Sequence, residues 1–349
     1  MTAQIIAPRR TVTLRDVEKE RDSYLRSTSD ILFRVVGGAL RGKGGAWDLI
    51  DFPDYPNVGD CAIWLGELRI FKQAGCRVSR VCRLPPFAPY LFKGRQCIAF
   101  HGGGNLGDIY FWLDKERRKI MRENNNASII VFPQTVFFRD PVKAEIAAEV
   151  YGSHPSLVLF VRDEASKLRA REQLGIEAEV VPDAAMAIGP LDRDPPRKEV
   201  VMLLREDKEA TIEVDESARL EKAVVTDWLK EKQPLGSRAA GTLEKLLRAY
   251  PNRAEMAWPW LVKSYQAAAK ARLARGVRLL SKGKVVITNR LHGHILSVLL
   301  GVPHVVIDNS YGKIGAFYER WTKQLSFVER ADSLDEAIER ANRMRKIYY

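Results

Sequence analysis

Short apolar runs alternate along the chain with charged segments of helical period. CIAF at 97, SIIVF at 128, LVLFV at 157 and AEVV at 178 fill the first half, and VVMLL at 200, KAVV at 222, KVVIT at 284 and HVVID at 304 the second. Unbroken β-branched and aliphatic runs, separated by stretches such as LDKERRKIMRE, predict parallel strands covered by helices, an α/β architecture. Pro and charge concentrate in LDRDPPRKE, 191–199, which reads as a linker. The predicted units are therefore an N-terminal α/β domain over 46–190 and a C-terminal α/β domain over 197–325. A helical and loop-rich insert, 228–283, interrupts the second domain, and SLDEAIERANRMRK predicts a closing helix within 326–349. Ahead of both, 1–45 holds a helical pattern, charged in TLRDVEKERDSYLR and apolar in ILFRVVGGAL, read as an arm or a membrane-facing helix, before the turn-rich RGKGGAWD.

Composition narrows the class. At 349 residues and 46% hydrophobic the chain exceeds one average domain and can bury two cores. A formal charge of +12 points to anionic partners: nucleic acid, an acidic membrane surface, or phosphorylated and carboxylated substrates. Cys61, Cys76, Cys82 and Cys97 form no C-x-x-C pair and have no histidine spacing for zinc, so they read as reduced core thiols. MTAQIIAPRR lacks the apolar core of a signal peptide, and no apolar run nears the roughly 18 residues of a membrane span. The expectation is a cytoplasmic protein, free or resting on the inner face of the plasma membrane.

Ligands of open α/β sheets sit outside the carboxyl ends of the strands, so the residues after each apolar run carry the chemistry. In YPNVGDCAIW, Asn57 and Gly59 permit a tight turn and Asp60 is placed to cap a helix. In FHGGGNLGD, Gly102, Gly103 and Gly104 ahead of Asn105 allow close backbone approach to a ligand or to another element. This matches neither a dinucleotide fingerprint nor a Walker A loop. After KVVIT the chain turns at Asn289 into a helix whose Leu291, Ile295, Val298, Leu299 and Val302 keep the 3.6 period. Arg290 and His292 thus lie at a helix N-terminus, where added cations oppose the dipole. A bound phosphate or carboxylate resolves that conflict; so does a core carboxylate paired with Arg290. Lys313, in DNSYGKIGAFYE, reaches the same anion or is solvated, and Arg205, after VVMLL, joins it or pairs with Glu206 or Asp207.

These residues resemble the polysaccharide pyruvyl transferases: NVGD at 57, HGGGNLGD at 101, VRDEAS at 161, VPDAAM at 181, TNRLHGHILSVLLGVP at 288 and DNSYGKIGAFYE at 308, in that order. The resemblance implies two Rossmann-like domains facing across a cleft, as in GT-B glycosyltransferases. It also implies transfer of pyruvate from phosphoenolpyruvate to a sugar as a cyclic ketal, on a lipid-linked repeat unit of an exopolysaccharide or cell-wall polymer. By the same resemblance the donor is held by Arg205, Arg290, Leu291, His292 and Lys313, with His292 the general acid. Asn57, Asp60, Gly103, Gly104 and Asn105 face the acceptor, and Asp60 orients or deprotonates its hydroxyl by fold analogy. No metal and no cofactor are expected, arginines neutralising the phosphate. The alternatives are a GT-B enzyme using a sugar nucleotide and a non-catalytic nucleic-acid-binding protein; no nucleic-acid module supports the latter.

Overall fold

The computed structural model describes residues 13–43, 45–84, 92–205, 223–229, 231–250, 254–308 and 312–349. Two parallel sheets organise them. The first has strands β1 (Ala46–Ile50), β2 (Arg77–Cys82), β3 (Cys97–Phe100), β5 (Ser128–Phe137), β6 (Leu157–Val161) and β7 (Ala178–Val180), in the order β2-β1-β3-β5-β6-β7. A further strand, β4 (Gly103–Gly107), pairs with β5. The second sheet runs β12-β11-β10-β8-β9, from β8 (Lys198–Leu203), β9 (Ala223–Thr226), β10 (Gly283–Thr288), β11 (His304–Ile307) and β12 (Val328–Ala331).

Around the first sheet run α1 (Leu14–Arg41), α2 (Val58–Gln73), α3 (Phe111–Glu123), α4 (Pro141–Tyr151) and α5 (Glu164–Leu174). Beyond them come α6 (Leu235–Ala249), α7 (Ala254–Leu280), α8 (Leu291–Leu300), α9 (Lys313–Phe317) and α10 (Leu334–Tyr348). Every apolar run singled out in the sequence forms a strand. Four strands escape that reading: β1, β2, β4 and β12. β4 is the informative one, because GGNLG has little β-propensity. It follows β3 after two residues, and β5 is long enough to pair with both, Cys97–Phe100 against 128–131 and Gly103–Gly107 against 134–137. From Gly103 on, the glycine stretch is thus a strand.

One core joins the two sheets. Val201, Leu203 and Val286, from one face of the second sheet, belong to the same buried cluster as α2, α8 and the first sheet. The alternate residues Val200, Met202, Val285 and Ile287 pack with Ala337, Ala341 and Met344 of α10, as the strand period of two requires. α1 is no free arm. Leu25, Leu32, Val36 and Leu40 are buried, Ser29 donates to the Met186 carbonyl at 3.1 Å, and Arg21 reaches the Leu300 carbonyl at 3.3 Å. Its apolar stripe faces protein, so the membrane-facing reading of this segment loses its surface. The four cysteines are free thiols, three of them buried. Among the described residues no helix is long and apolar enough to cross a membrane.

The insert folds as the α6–α7 hairpin and leans on the first half of the chain. Arg83 makes a two-pronged contact with Glu244 of α6 at 2.6 and 2.8 Å, and Asp54 accepts from Ser237 at 2.6 Å and Arg272 at 3.1 Å.

Candidate active site

A cavity of about 420 Å³ opens where strand ends of both sheets converge. Asp51 and Phe52 follow β1, Arg162 follows β6, Arg205 follows β8, Trp228 follows β9, and Arg290 with Leu291 and His292 follows β10. Asn57 and Asp60 enter from the start of α2, and Gly104 and Asn105 from β4. Of the residues expected from sequence, Arg205, Arg290, Leu291, His292, Asn57, Asp60, Gly104 and Asn105 line this one space.

The meeting of α2 and α8 is built by missing side chains. A β-carbon on Gly59 would fall 2.3 Å from Cγ of His292. One on Gly293 would fall 2.4 Å from the Thr288 hydroxyl oxygen, and one on Gly276 of α7 the same distance from Val58. Glycine at each position allows a close contact: α2 on α8 at 59, α8 on β10 at 293 and α7 on α2 at 276.

His292 lies over a buried carboxylate. Its Nε2 is 3.6 Å from Oδ2 of Asp183, an ion-pair distance longer than a hydrogen bond. Arg162 donates to the same oxygen at 2.6 Å and to the Thr135 hydroxyl at 2.6 Å, while Oδ1 accepts from the Ala185 N–H at 2.9 Å and caps the short 3-10 turn Ala184–Ile188. Burial alone would raise the Asp183 carboxyl, but His292 and Arg162 outweigh it and hold it well below the usual carboxylate range. Asp183 is therefore a fixed negative charge beneath the ring.

At the N-cap of α8, Arg290 is buried and extended, and no side chain caps the helix. Its guanidinium meets Asp227 at 2.5 Å and stands 6.0 Å from the Trp228 ring centroid. Asp227 thus supplies the compensating charge that the sequence argument sought from a ligand, and the carboxylate-paired reading of Arg290 is realised. Arg205 donates its N–H to Asn289 at 2.7 Å; Glu206 and Asp207, its proposed partners, lie outside the described residues. So do Asn309, Ser310, Tyr311 and the side chain of Lys313, whose backbone opens α9.

On the opposite wall Asn57, not Asp60, caps α2, accepting from the Gly59 N–H at 3.0 Å. An Asn at the N-cap leaves the carboxylate of Asp60 for other work: it accepts from the Tyr55 hydroxyl at 2.6 Å and the Asn57 amide at 2.8 Å. Gly103, with φ +117°, stands behind Asp60, where an added β-carbon would lie 3.7 Å from Oδ1. Asn105 accepts from Arg117 at 3.0 Å, and Arg117 binds Asp51 at 2.6 Å. Asp51 holds φ at +82°, the left-handed region, which a short polar side chain tolerates. Below lies His101, its Nδ1 2.9 Å from Glu67.

His294 takes no part in the cavity. It is fully buried, sharing a hydrogen bond with His304 at 2.6 Å and contacting the Thr322 hydroxyl at 2.9 Å. Arg162 and Asp183 stand in the motifs VRDEAS and VPDAAM without a role assigned from sequence, and Asp227 was not singled out. All three stand just past strands β6, β7 and β9, so inspection of every strand end would have found them. Among the described residues no group of three or more His, Cys, Asp and Glu is arranged to hold a metal.

A family model described as polysaccharide pyruvyl transferase matches residues 57–311. Pyruvyl transferase 1 of Schizosaccharomyces pombe is 30% identical over 317 residues, covering 83% of this chain and 74% of that protein. EpsO of Bacillus subtilis, whose name marks it as a candidate pyruvyl transferase, is 32% identical over 281 residues, 78% of this chain and 84% of its own. A crystal structure of a functionally uncharacterized protein from Klebsiella pneumoniae subsp. pneumoniae shares the fold, with a TM-score of 0.56 at 17% identity, over 86% of this chain and 97% of that one.

Proposed function

The chain belongs to the polysaccharide pyruvyl transferase family, and from that premise we propose that it moves pyruvate from phosphoenolpyruvate onto two hydroxyls of a sugar as a cyclic ketal. In this reading the two sheets are Rossmann-like halves of a GT-B-type cleft, and the acceptor is a lipid-linked oligosaccharide. The observation that carries it is the convergence, in one cavity, of four arginines and His292 with Asn57 and Asp60 on the facing wall.

Phosphoenolpyruvate presents a phosphate and a carboxylate, and planar guanidinium groups match both through paired N–H donors. Arg205 and Arg290 take these anions, with Leu291 against the enol carbons and Lys313 as a further cation. His292 gives its proton to the methylene carbon, which becomes the methyl group, and the neighbouring carbon turns electrophilic. One sugar hydroxyl adds there, its proton passing to Asp60. The C–O bond to phosphate breaks, the second hydroxyl adds to the same carbon, and its proton leaves. Of the two hydroxyl protons, one restores His292 and the other departs on phosphate, so the products are the ketal and inorganic phosphate. Asp183 supplies a fixed counter-charge for an imidazolium at 292, and Arg162 holds that carboxylate in place. No cofactor enters the scheme, and the arginines do the neutralising that a metal otherwise performs.

Ligand-dependent melting tests the reading. Phosphoenolpyruvate raises the melting temperature of the full chain by mass action, and sugar nucleotides do not. A shift with a sugar nucleotide alone would replace this function with glycosyl transfer.

A further inference from the structure

The α6–α7 hairpin turns an apolar and basic surface outward. Along α6 the exposed positions include Leu235, Arg238, Thr242, Lys245 and Leu246, and along α7 Met256, Trp260, Lys263, Ala267 and Lys270. Each set keeps three- and four-residue spacing, so each is one face of its helix. The opposite faces, with Ala240, Glu244 and Leu247 on α6 and Leu261, Tyr265 and Ala268 on α7, are buried. Leu235 and Met256 are each 78% exposed, more than any other large apolar side chain among the described residues. Leu246, Tyr250, Met256 and Trp260 flank the connection between the helices, so the chain path gathers them at one end of the hairpin.

Charge selects the occupant. From 231 to 270 the exposed cations are Lys232, Arg238, Lys245, Arg248, Lys263 and Lys270, whereas the one exposed carboxylate among the described residues, Glu255, is paired with Arg80. Two copies of so basic a face repel each other, which disfavours a homodimer here. Lys263 stands 5.0 Å from the Trp260 ring centroid, an aromatic and cationic pair suited to headgroup depth, where the ring and the lysine stem sit in the apolar boundary and the ammonium reaches phosphate. We infer that the α6–α7 hairpin is a docking face for an anionic phospholipid surface.

This goes beyond the proposed function and does not depend on it. It has a consequence for the site, because the hairpin is tied to the cavity: Arg83 and Trp228 line the cavity, Glu244 of α6 holds Arg83, and Arg275 of α7 donates to the Trp228 carbonyl at 2.7 Å. Docking through the hairpin holds the cavity close to the lipid.

Co-sedimentation of the full chain tests it, with vesicles of phosphatidylcholine alone and of phosphatidylcholine mixed with phosphatidylglycerol. The chain should pellet with the anionic vesicles only, and less so at high salt. Leu246→Ser, Met256→Ser and Trp260→Ser combined should lower partitioning about tenfold or more. Gln at Arg238, Lys245, Lys263 and Lys270 should lower it about fivefold per charge removed. Neither set should move the melting temperature, since all seven side chains are exposed. Failure to pellet with anionic vesicles, equal pelleting with neutral ones, or full binding by both variant sets would overturn the inference. Self-association abolished by the serine variant, without vesicle binding, would overturn it in favour of an interface between copies. The melting shift with phosphoenolpyruvate is read separately, so a failed function leaves the vesicle result standing.

Discussion

Gly59 and His292 touch with no space for a side chain between them: the β-carbon that alanine would add at 59 falls 2.3 Å from Cγ of the imidazole. The contact involves the root of the His292 side chain, not its flexible end, so it cannot be relieved by a small rotation. Gly59→Ala should push the ring off Asp183 or part the starts of α2 and α8. Overpacking of this kind costs about 1–3 kcal/mol, and a misplaced catalytic group loses about 10²-fold in rate. Turnover should fall far more than phosphoenolpyruvate affinity, as steady-state kinetics with a donor titration would show.

His292→Gln keeps polarity and approximate size but removes the transferable proton. Donor affinity should change little, while turnover falls by about 10²- to 10⁴-fold, the usual loss for a general acid. Near-normal turnover in a folded variant would remove His292 from the role of acid.

Arg290 separates charge from shape. Lys at this position keeps a cation for Asp227 but loses the planar fork, so stability should hold and donor binding weaken. Met leaves the Asp227 carboxylate buried without its partner, a loss of about 3–5 kcal/mol that urea unfolding would register. Equal stability of the two variants would contradict the ion pair.

Much of this was legible beforehand, for a physical reason. Strands buried on both faces must be continuously apolar, so β3, β5, β6, β8, β10 and β11 stand out. β2 (RVSRVC) and β12 (VERA), at the edges of their sheets, carry charge and do not. β4 is invisible because its glycines answer to close packing. The site's outline was legible because ligands gather at strand ends, but its ion pairs were not. That Asp183 lies under His292 and Asp227 on Arg290 depends on how two sheets meet, which no local pattern encodes. α1 shows the same limit: an amphipathic stripe reads alike whether it faces lipid or, as here, the core.

Below neutral pH the His294–His304 pair should destabilise the fold. Burial lowers the His304 imidazole to about 4, and burial together with His304 sets His294 well below its ordinary value. The unfolded chain therefore takes up protons that the folded chain refuses as pH drops through the ordinary histidine value of about 6.5. Stability is full above that value and is lost progressively towards pH 4. His101 works in the opposite sense: burial lowers it, but Glu67 prevails and raises it, so its contribution is present at low pH and fades as pH rises. His304→Asn, compared with the parent by urea unfolding at a series of pH values, isolates the first effect, and its stability should fall less steeply on acidification.

Central to the account is pyruvate placed as a ketal on a surface glycan by a site that needs His292. Mass spectrometry of the host polysaccharide should find the ketal in the parent strain, none after deletion of the gene, full restoration by the intact chain and none by His292→Gln. An unchanged ketal content after deletion, or a missing sugar in place of a missing pyruvate, would contradict it.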